Sequence, residues 1–380
     1  MKKIKVLHVV VRLGAGGIEQ WLINILKTYD NSRFQMDVCC VARRPDLGPF
    51  VEDVRQLESK VHYISLGQQA SFVLKFRRLL QENGYDVLIS HIALSFPVLL
   101  VGKLVDVPVR ISVNHNTILP GIFHRNKLSS SVLRRGSVWM STAVTGCSET
   151  TLDSLYPRWK TNRKFSVLYY GILTENFLSV SGRAIIRNEL RIPVSALVVG
   201  HVGRFTPQKN HETFVRVAKV ISRSLPDTHF ILVGDGPLHS EIEEMVSELD
   251  LSHQFHFTGI RRDVPQLLNA MDVTFFPSLY EGSPVTFIEA QVVGLPIVTG
   301  KRPEMKEAIC PENVIYSLVD IDDHELAARK IIQLLKDNKL RSRIADYGQC
   351  WAVERFSIER STRDLESLIE AQFNYDDYPK

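Results

Sequence analysis

Glu281 and Glu289 stand on either side of Gly282-Ser283-Pro284-Val285-Thr286-Phe287-Ile288. The run reads as the entry to a helix, because proline is favoured in a first helical turn, where its missing N–H is not needed. At such an end the amides of Gly282, Ser283 and Val285 can meet sugar hydroxyls or phosphate. The two carboxylates are far enough apart to touch different parts of one extended ligand. Capping of the helix by Glu281 explains that residue equally well. Earlier, His201-Val202-Gly203-Arg204-Phe205-Thr206-Pro207-Gln208-Lys209-Asn210 carries two cations. Arginine offers phosphate a fork and lysine a compact charge, so Arg204 and Lys209 suit a diphosphate that is held and then leaves. Taken alone, two cations in a loop are ordinary solvated surface. Gly14-Ala15-Gly16-Gly17 would let backbone approach a phosphate at a helix N-terminus, and is also what a tight turn requires. A dinucleotide fingerprint would need glycine at 14, 16 and 19, and position 19 is Glu, which disfavours an NAD-dependent dehydrogenase. No Asp-x-Asp lies in a suitable loop, and Asp322-Asp323 falls outside the pattern. No metal and no cofactor are expected.

These segments need strands to hold them. Short apolar runs alternate with helical spacing, the signature of parallel βαβ units. Runs 6–11, 34–41, 61–65, 87–90, 109–113 and 142–146 read as strands, with helices at 18–29, 49–59 and 72–83. A further strand at 165–169, a turn at Tyr170-Gly171-Ile172 and a connector at 173–193 precede a restart of the pattern. Strands are then expected at 197–202, 230–233, 255–257, 273–276 and 296–298, with helices at 211–224 and 358–373. The expected fold is α/β, two Rossmann-like doubly wound domains in tandem facing across a cleft. Ligands of such sheets bind outside the carboxyl ends of the strands, which makes the cleft the default site. Arg204, Lys209 and Glu281 all fall at strand carboxyl ends, and capping alone does not explain that concentration.

The 380 residues suggest two domains. They are 44% hydrophobic and 23% charged, an ordinary globular balance. No run approaches the roughly 18–20 apolar residues of a membrane helix, and residues 6–11 read as a first strand rather than a signal-peptide core. Five scattered cysteines form no CxxC pair and fit a reducing, cytoplasmic setting. The net charge of +4 is uneven, about +10 over residues 1–180 and −6 over 181–380. The basic half is either uneven solvated surface or a face for phospholipid or lipid-linked phosphate. Nucleic acid is not expected, since no recognised motif accompanies the charge. Within residues 124–140, Arg125, Lys127, Arg134 and Arg135 lie beside Leu128, Val132, Leu133, Val138 and Trp139. That pattern suits either a helix on an anionic membrane or a surface helix packed by its apolar side.

Val202-Gly203-Arg204…Lys209, Leu232-Val233-Gly234-Asp235-Gly236-Pro237, Phe276-Pro277-Ser278…Glu281-Gly282 and Glu289-Ala290…Gly294-Leu295-Pro296-Ile297-Val298 resemble, in that order, the GT-B retaining glycosyltransferases of the glycogen-synthase-like and mannosyltransferase group. Gly16-Gly17-Ile18-Glu19 and Asn114-His115-Asn116-Thr117 match the same group, and the chain looks most like bacterial exopolysaccharide or capsule glycosyltransferases. The resemblance spans nearly the whole chain. It implies that Arg204 and Lys209 bind the donor diphosphate, that Glu289 holds the ribose hydroxyls, and that Glu281 contacts the transferred sugar with the stretch Gly282, Ser283, Pro284 and Val285. It places the base at Thr258-Gly259-Ile260-Arg261 and brings Gly16 and Gly17 to the phosphates. His115 would sit near the reacting centre, touching donor sugar or acceptor, although a lone histidine is more often a packed or capped residue. The chain departs from the family in having Asn210 for glycine and Tyr170-Gly171-Ile172-Leu173 for Asn-Gly-Ile-Asp.

The resemblance divides the chain into an acceptor-side domain at 1–172, onto which a helix at about 358–380 packs back, and a nucleotide-sugar-binding domain at 173–357. It implies a retaining, metal-independent hexosyltransferase, with a UDP-sugar as donor and GDP as the other candidate nucleotide. The acceptor would be a glycan or a polyprenyl-diphosphate-linked sugar of cell-surface polysaccharide, reached from the cytoplasmic face of the membrane. A sugar-nucleotide epimerase of the same fold, acting on donor alone, and a non-catalytic partner subunit are the alternatives. The intact set Arg204, Lys209, Glu281 and Glu289 argues against the second.

Overall fold

The computed structural model describes the chain apart from residues 1, 15, 43–46, 68, 94, 116–126, 179 and 376–380, and apart from the side chains of residues 69–70, 127–130 and 374–375. Two compact units emerge, Met1–Gly171 with Ile358–Lys380, and Ile172–Ser357.

The first unit is built on seven parallel strands: β1 (Ile4–Val10), β2 (Phe34–Cys40), β3 (Val61–Tyr63), β4 (Val87–Ser90), β5 (Val109–Asn114), β6 (Ala143–Gly146) and β7 (Phe165–Val167), in the spatial order β3-β2-β1-β4-β5-β6-β7. The second carries six: β8 (Val198–Val202), β9 (His229–Val233), β10 (Phe255–Phe257), β11 (Val273–Phe276), β12 (Ile297–Gly300) and β13 (Leu318–Val319), ordered β10-β9-β8-β11-β12-β13. Central strands such as β4, β8 and β11 are buried along their whole length, as near-continuous apolar runs covered by helices on both faces require. In each sheet the chain winds outward, then returns to the other side of its first strand. The order therefore reverses between β1 and β4, and again between β8 and β11. A crevice opens at such a point outside the carboxyl ends of the strands.

The helix Ile358–Tyr375 belongs to the first unit although it comes last in the chain. Trp21 Nε1 donates to Ser361 Oγ at 2.8 Å, the Thr28 and Thr362 hydroxyls meet at 2.7 Å, and Glu366 accepts from the Asp30 amide at 2.8 Å. Residues 376–380 of the expected C-terminal segment lie outside the described residues. Among the described residues no helix is long and apolar enough to cross a membrane.

The connector helix Arg183–Glu189 is held to the second sheet by a buried guanidinium. Arg187 is fully buried and donates to the carbonyls of Ala270, Val194 and Ala196 and to Asp272 at 2.9 Å. Asp272 also accepts from the Val198 amide and from the half-exposed Arg183. Removing a desolvated arginine strands these acceptors, whereas an exposed ion pair contributes little. Arg187→Met is expected to cost about 3 kcal/mol and Arg183→Met less than about 1 kcal/mol in urea unfolding. Equal losses would refute this ranking.

Candidate functional site

In the second unit, β8 ends at Val202 and the chain turns through residues 203–210. Gly203 donates to Val233 O at 2.9 Å, and Phe205 donates to Asp235 O at 3.1 Å. The loop after β9 is packed against this turn so closely that only glycine fits. Gly234 has φ +130°, and a Cβ there would stand 2.2 Å from Gly203 O. A Cβ on Gly203 would meet His201 Nε2 at 2.7 Å. His201 lies beneath the loop, its Nδ1 donating to Phe275 O at 3.0 Å.

Pro207–Lys209 forms one short 3-10 turn, and Asn210 then takes a left-handed conformation and caps the helix His211–Ser224 through Thr213. This geometry lays the loop against the segment that follows β11. Leu279 donates to Gln208 O at 2.8 Å, and Asn210 Nδ2 donates to Pro277 O at 3.2 Å. Gln208 Nε2 donates to Tyr280 O at 2.9 Å and to Glu281 Oε2 at 3.3 Å, while Lys209 Nζ meets Glu281 Oε1 at 2.5 Å. Lys209 and Glu281 keep only 17% and 7% of their side-chain exposure, so the ion pair is largely shielded from water. Arg204 is exposed, and its guanidinium has no partner among the described residues. The sequence reading gives Lys209 to a diphosphate and Glu281 to a sugar; the structure bonds the two to each other across the switch between β8 and β11.

The helix Val285–Val293 begins at Val285, with Pro284 just outside it at φ −77° and ψ 83°. Val285 donates to Ser283 O at 2.9 Å and Phe287 to Pro284 O at 2.9 Å. The expected role of the Val285 amide is thus corrected: it is already committed to the turn, and Pro284 has none to give. The Ser283 amide has no partner among the described residues. Glu289 lies just over one turn into the helix. It is half-buried, has no partner among the described residues, and burial pushes its carboxyl up to about 7. At the end of β10, Gly259 has φ +65° with open space around it, and the neighbouring Ile260 side chain is 81% exposed. Arg261 is tied to Glu189 and Asp263. The Gly259 carbonyl accepts from Gly234, which joins this turn to the loop after β9.

In the first unit, Gly16 is the N-cap of the helix Gly17–Thr28. The Glu19 carboxylate folds back over the turn, 2.5 Å from where a Gly16 Cβ would sit. His115 lies just past β5 and is buried, with both ring nitrogens on protein partners: Nε2 meets His91 Nδ1 at 3.2 Å, and Nδ1 meets the Tyr170 hydroxyl. Burial pushes the His115 imidazole down to about 3 and the Tyr170 phenol up. As placed, His115 has no ring nitrogen left for a ligand. Asn116 and Thr117, which complete its motif, lie outside the described residues, as does Ala15.

Sequence reasoning missed Gln208 as the second donor to Glu281, although it sits beside Lys209 in the motif. It also missed His8 and His91. The only signal for them is a histidine inside the first strand run, 6–11, and another directly after the run 87–90.

Residues 182–351 match the family described as glycosyl transferases group 1, and residues 15–176 match glycosyltransferase family 4. A putative glycosyltransferase of Bacillus subtilis, EpsF, is 31% identical over 303 residues, covering 77% of this chain and 78% of that protein. The UDP-Gal:alpha-D-GlcNAc-diphosphoundecaprenol alpha-1,3-galactosyltransferase of Escherichia coli is 26% identical over 313 residues, covering 78% of this chain and 79% of its own. Among solved structures, Anabaena HepE in complex with UDP superposes with a TM-score of 0.80 at 21% identity, over 97% of this chain and 100% of that one. HepE in complex with UDP-glucose gives 0.79, over 97% and 99%. The fold is of the GT-B class, two Rossmann-like parallel-sheet domains.

Glu289 offers a test of the site that requires no substrate. Its folded pKa of about 7 lies above the unfolded carboxylate value, so the cost of ionising it is absent at low pH, grows between about pH 4 and 7, and is complete above. Glu289→Gln is expected to leave stability unchanged near pH 4 and to raise it at pH 8, by up to about 3 kcal/mol. Thermal melts at the two pH values check the sign, and a variant less stable at pH 8 would contradict it.

Proposed function

The chain belongs to the group 1 glycosyltransferases, and we propose that it moves a sugar from a UDP-sugar to a glycan or polyprenyl-diphosphate-linked acceptor of cell-surface polysaccharide. The HepE complexes with UDP and UDP-glucose support the donor. The diphosphoundecaprenol acceptor of the Escherichia coli relative supports the acceptor. The observation in this chain that carries the reading is the stitched pair of loops at the β8–β11 switch, with Lys209 fixed on Glu281 and Arg204 exposed beside them.

Arg204 and Lys209 receive the donor diphosphate. The incoming phosphates draw the Lys209 ammonium partly away from Glu281, which frees carboxylate oxygens for hydroxyls of the transferred sugar. The Ser283 amide at the helix entrance adds a donor there. Glu289 accepts from the ribose hydroxyls, and these donors replace the water that burial has removed from its carboxylate. Gly259 and the exposed Ile260 receive the uracil, the apolar side chain lying on its face.

Transfer proceeds with retention. The bond from the anomeric carbon to the diphosphate oxygen breaks, and the acceptor oxygen bonds that carbon on the same face. The acceptor proton passes to the departing phosphate oxygen, so no protein base is required. Negative charge grows on the leaving diphosphate, and pre-placed cations are most effective against charge that develops in the transition state. The guanidinium and ammonium supply that positive charge in this scheme, and no metal is invoked.

We further propose that the helix Lys127–Met140 rests on anionic membrane. Val132 and Trp139 are 60% and 68% exposed, and Lys103 Nζ lies 4.3 Å from the centre of the Trp139 ring. Exposed Arg135 adds charge to this apolar face, the combination that suits an anionic interface. Residues 124–126 of the segment lie outside the described residues.

Lys209→Ala is expected to keep its fold and to lower kcat/KM by roughly 100- to 1000-fold with the best UDP-sugar found by thermal-shift screening; transfer at the parental rate would remove Lys209 from the mechanism. Flotation with phosphatidylglycerol vesicles is expected to recover the protein, and neutral phosphatidylcholine vesicles much less. Trp139→Ala should weaken recovery, and equal recovery of parent and variant would exclude this face.

A further inference from the structure

His115 is one end of a longer arrangement. His8 Nδ1 meets His91 Nε2 at 3.0 Å, His91 Nδ1 meets His115 Nε2 at 3.2 Å, and His115 Nδ1 meets the Tyr170 hydroxyl. Ring centroids are 5.3, 5.3 and 5.7 Å apart, with planes inclined by only 15°, 23° and 23°. Nitrogens that approach this closely while the centroids stay so far apart belong to rings joined edge to edge. The result is a nearly flat ribbon of three imidazoles and a phenol. It runs from inside β1, past the ends of β4 and β5, to the turn after β7. Trp21 packs on it, edge-on to His91 and tilted on Tyr170. The other titratable groups facing the ribbon are Glu19 and Cys147.

The ribbon is buried throughout, so its imidazoles are neutral, each carrying one proton. That leaves two ways to arrange the protons. If Tyr170 donates to His115 Nδ1, every later link follows, and the chain ends in an N–H on His8 Nε2. That nitrogen is fully buried and has no partner among the described residues. In the opposite sense each histidine donates from Nδ1, His115 donates to the Tyr170 oxygen, and Tyr170 donates to the Cys147 sulfur. His8 Nε2 is then a bare lone pair. Buried N–H groups without acceptors are the rarer defect, so the second sense is favoured.

We propose that His8, His91 and Tyr170 are positioning residues that lock His115 as a single Nδ1–H tautomer at the carboxyl end of β5. With its proton and its lone pair both committed, His115 takes no proton from the acceptor. It instead fixes the exit of β5, where its motif continues. The link to catalysis rests on the transferase reading; the lock itself does not.

The test uses the full chain with ring-15N histidine and long-range 1H–15N correlation. His115 signals are identified by their loss in His115→Asn. In the parent they are expected to show protonated Nδ1 and no titration from pH 5.5 to 8.5. In Tyr170→Phe, which removes one oxygen and keeps the ring, they should become a mixture of Nδ1–H and Nε2–H tautomers, still without titration over that range because His115 stays buried. His91→Phe, which cuts the ribbon in the middle, should do the same. In turnover assays Tyr170→Phe should lower kcat by about ten-fold or more with donor KM within about two-fold. Protonated Nε2 in the parent, or an unchanged Nδ1–H signal in Tyr170→Phe, would overturn the lock. Absence of any transfer activity in the parent would count against the transferase reading and leave the spectroscopic result standing.

Discussion

The ion pair between Lys209 and Glu281 ties together the two loops that bound the sheet reversal of the second unit. A pair this far removed from water gives back much of its Coulomb gain as desolvation cost. It persists because Gln208 satisfies the second carboxylate oxygen and backbone hydrogen bonds hold both loops in register. The same balance makes the pair responsive. A ligand that brings two phosphate charges beside Lys209 can outbid one carboxylate, while the bonds from Leu279 to Gln208 O and from Asn210 to Pro277 O keep the loops in place. On the proposed reading, stability and ligand binding draw on the same few atoms.

Glu289 states the trade more simply. A half-buried carboxylate with no partner among the described residues weakens the fold at neutral pH. A chain that sought only stability would place an uncharged residue there. Hydroxyl donors from a bound nucleoside would turn that penalty into affinity. Arg187 and Asp272 show the contrasting case, a buried charged pair whose hydrogen-bonding capacity is filled by backbone and which therefore serves the scaffold.

The scaffold was largely legible in the sequence because buried parallel strands are apolar runs bounded by turns. Val198–Val202 and Val273–Phe276 stand out in that way. The strand Leu318–Val319 escaped because two residues carry no periodicity. Arg204, Lys209 and Glu281 stand out in the sequence by type and by their place at strand ends, and Glu289 by its spacing from Glu281. Their mutual bonding does not: Lys209 and Glu281 are 72 residues apart, and nothing local distinguishes a lysine reserved for phosphate from one already paired. The Val285 amide differs from the sequence expectation for a related reason. Proline at position 284 signals a helix start, but only the turn's dihedral angles decide which amide stays open.

His115 shows the limit from the other direction. Its type and motif suggested a group exposed to the reaction, yet its neighbours in space come from β1, the end of β4 and the turn after β7. A buried column of imidazoles is costly unless nearly every donor and acceptor is matched. Apolar side chains would fill the same volume without that demand. What the polar column adds is direction, since each hydrogen bond fixes the tautomer of the next ring and the last ring is the one at the end of β5. Tyr170 completes it at a position where the sequence departs from the family pattern. A tyrosine there has the reach and the hydroxyl to close the ribbon, and leucine or phenylalanine would leave His115 Nδ1 without its acceptor.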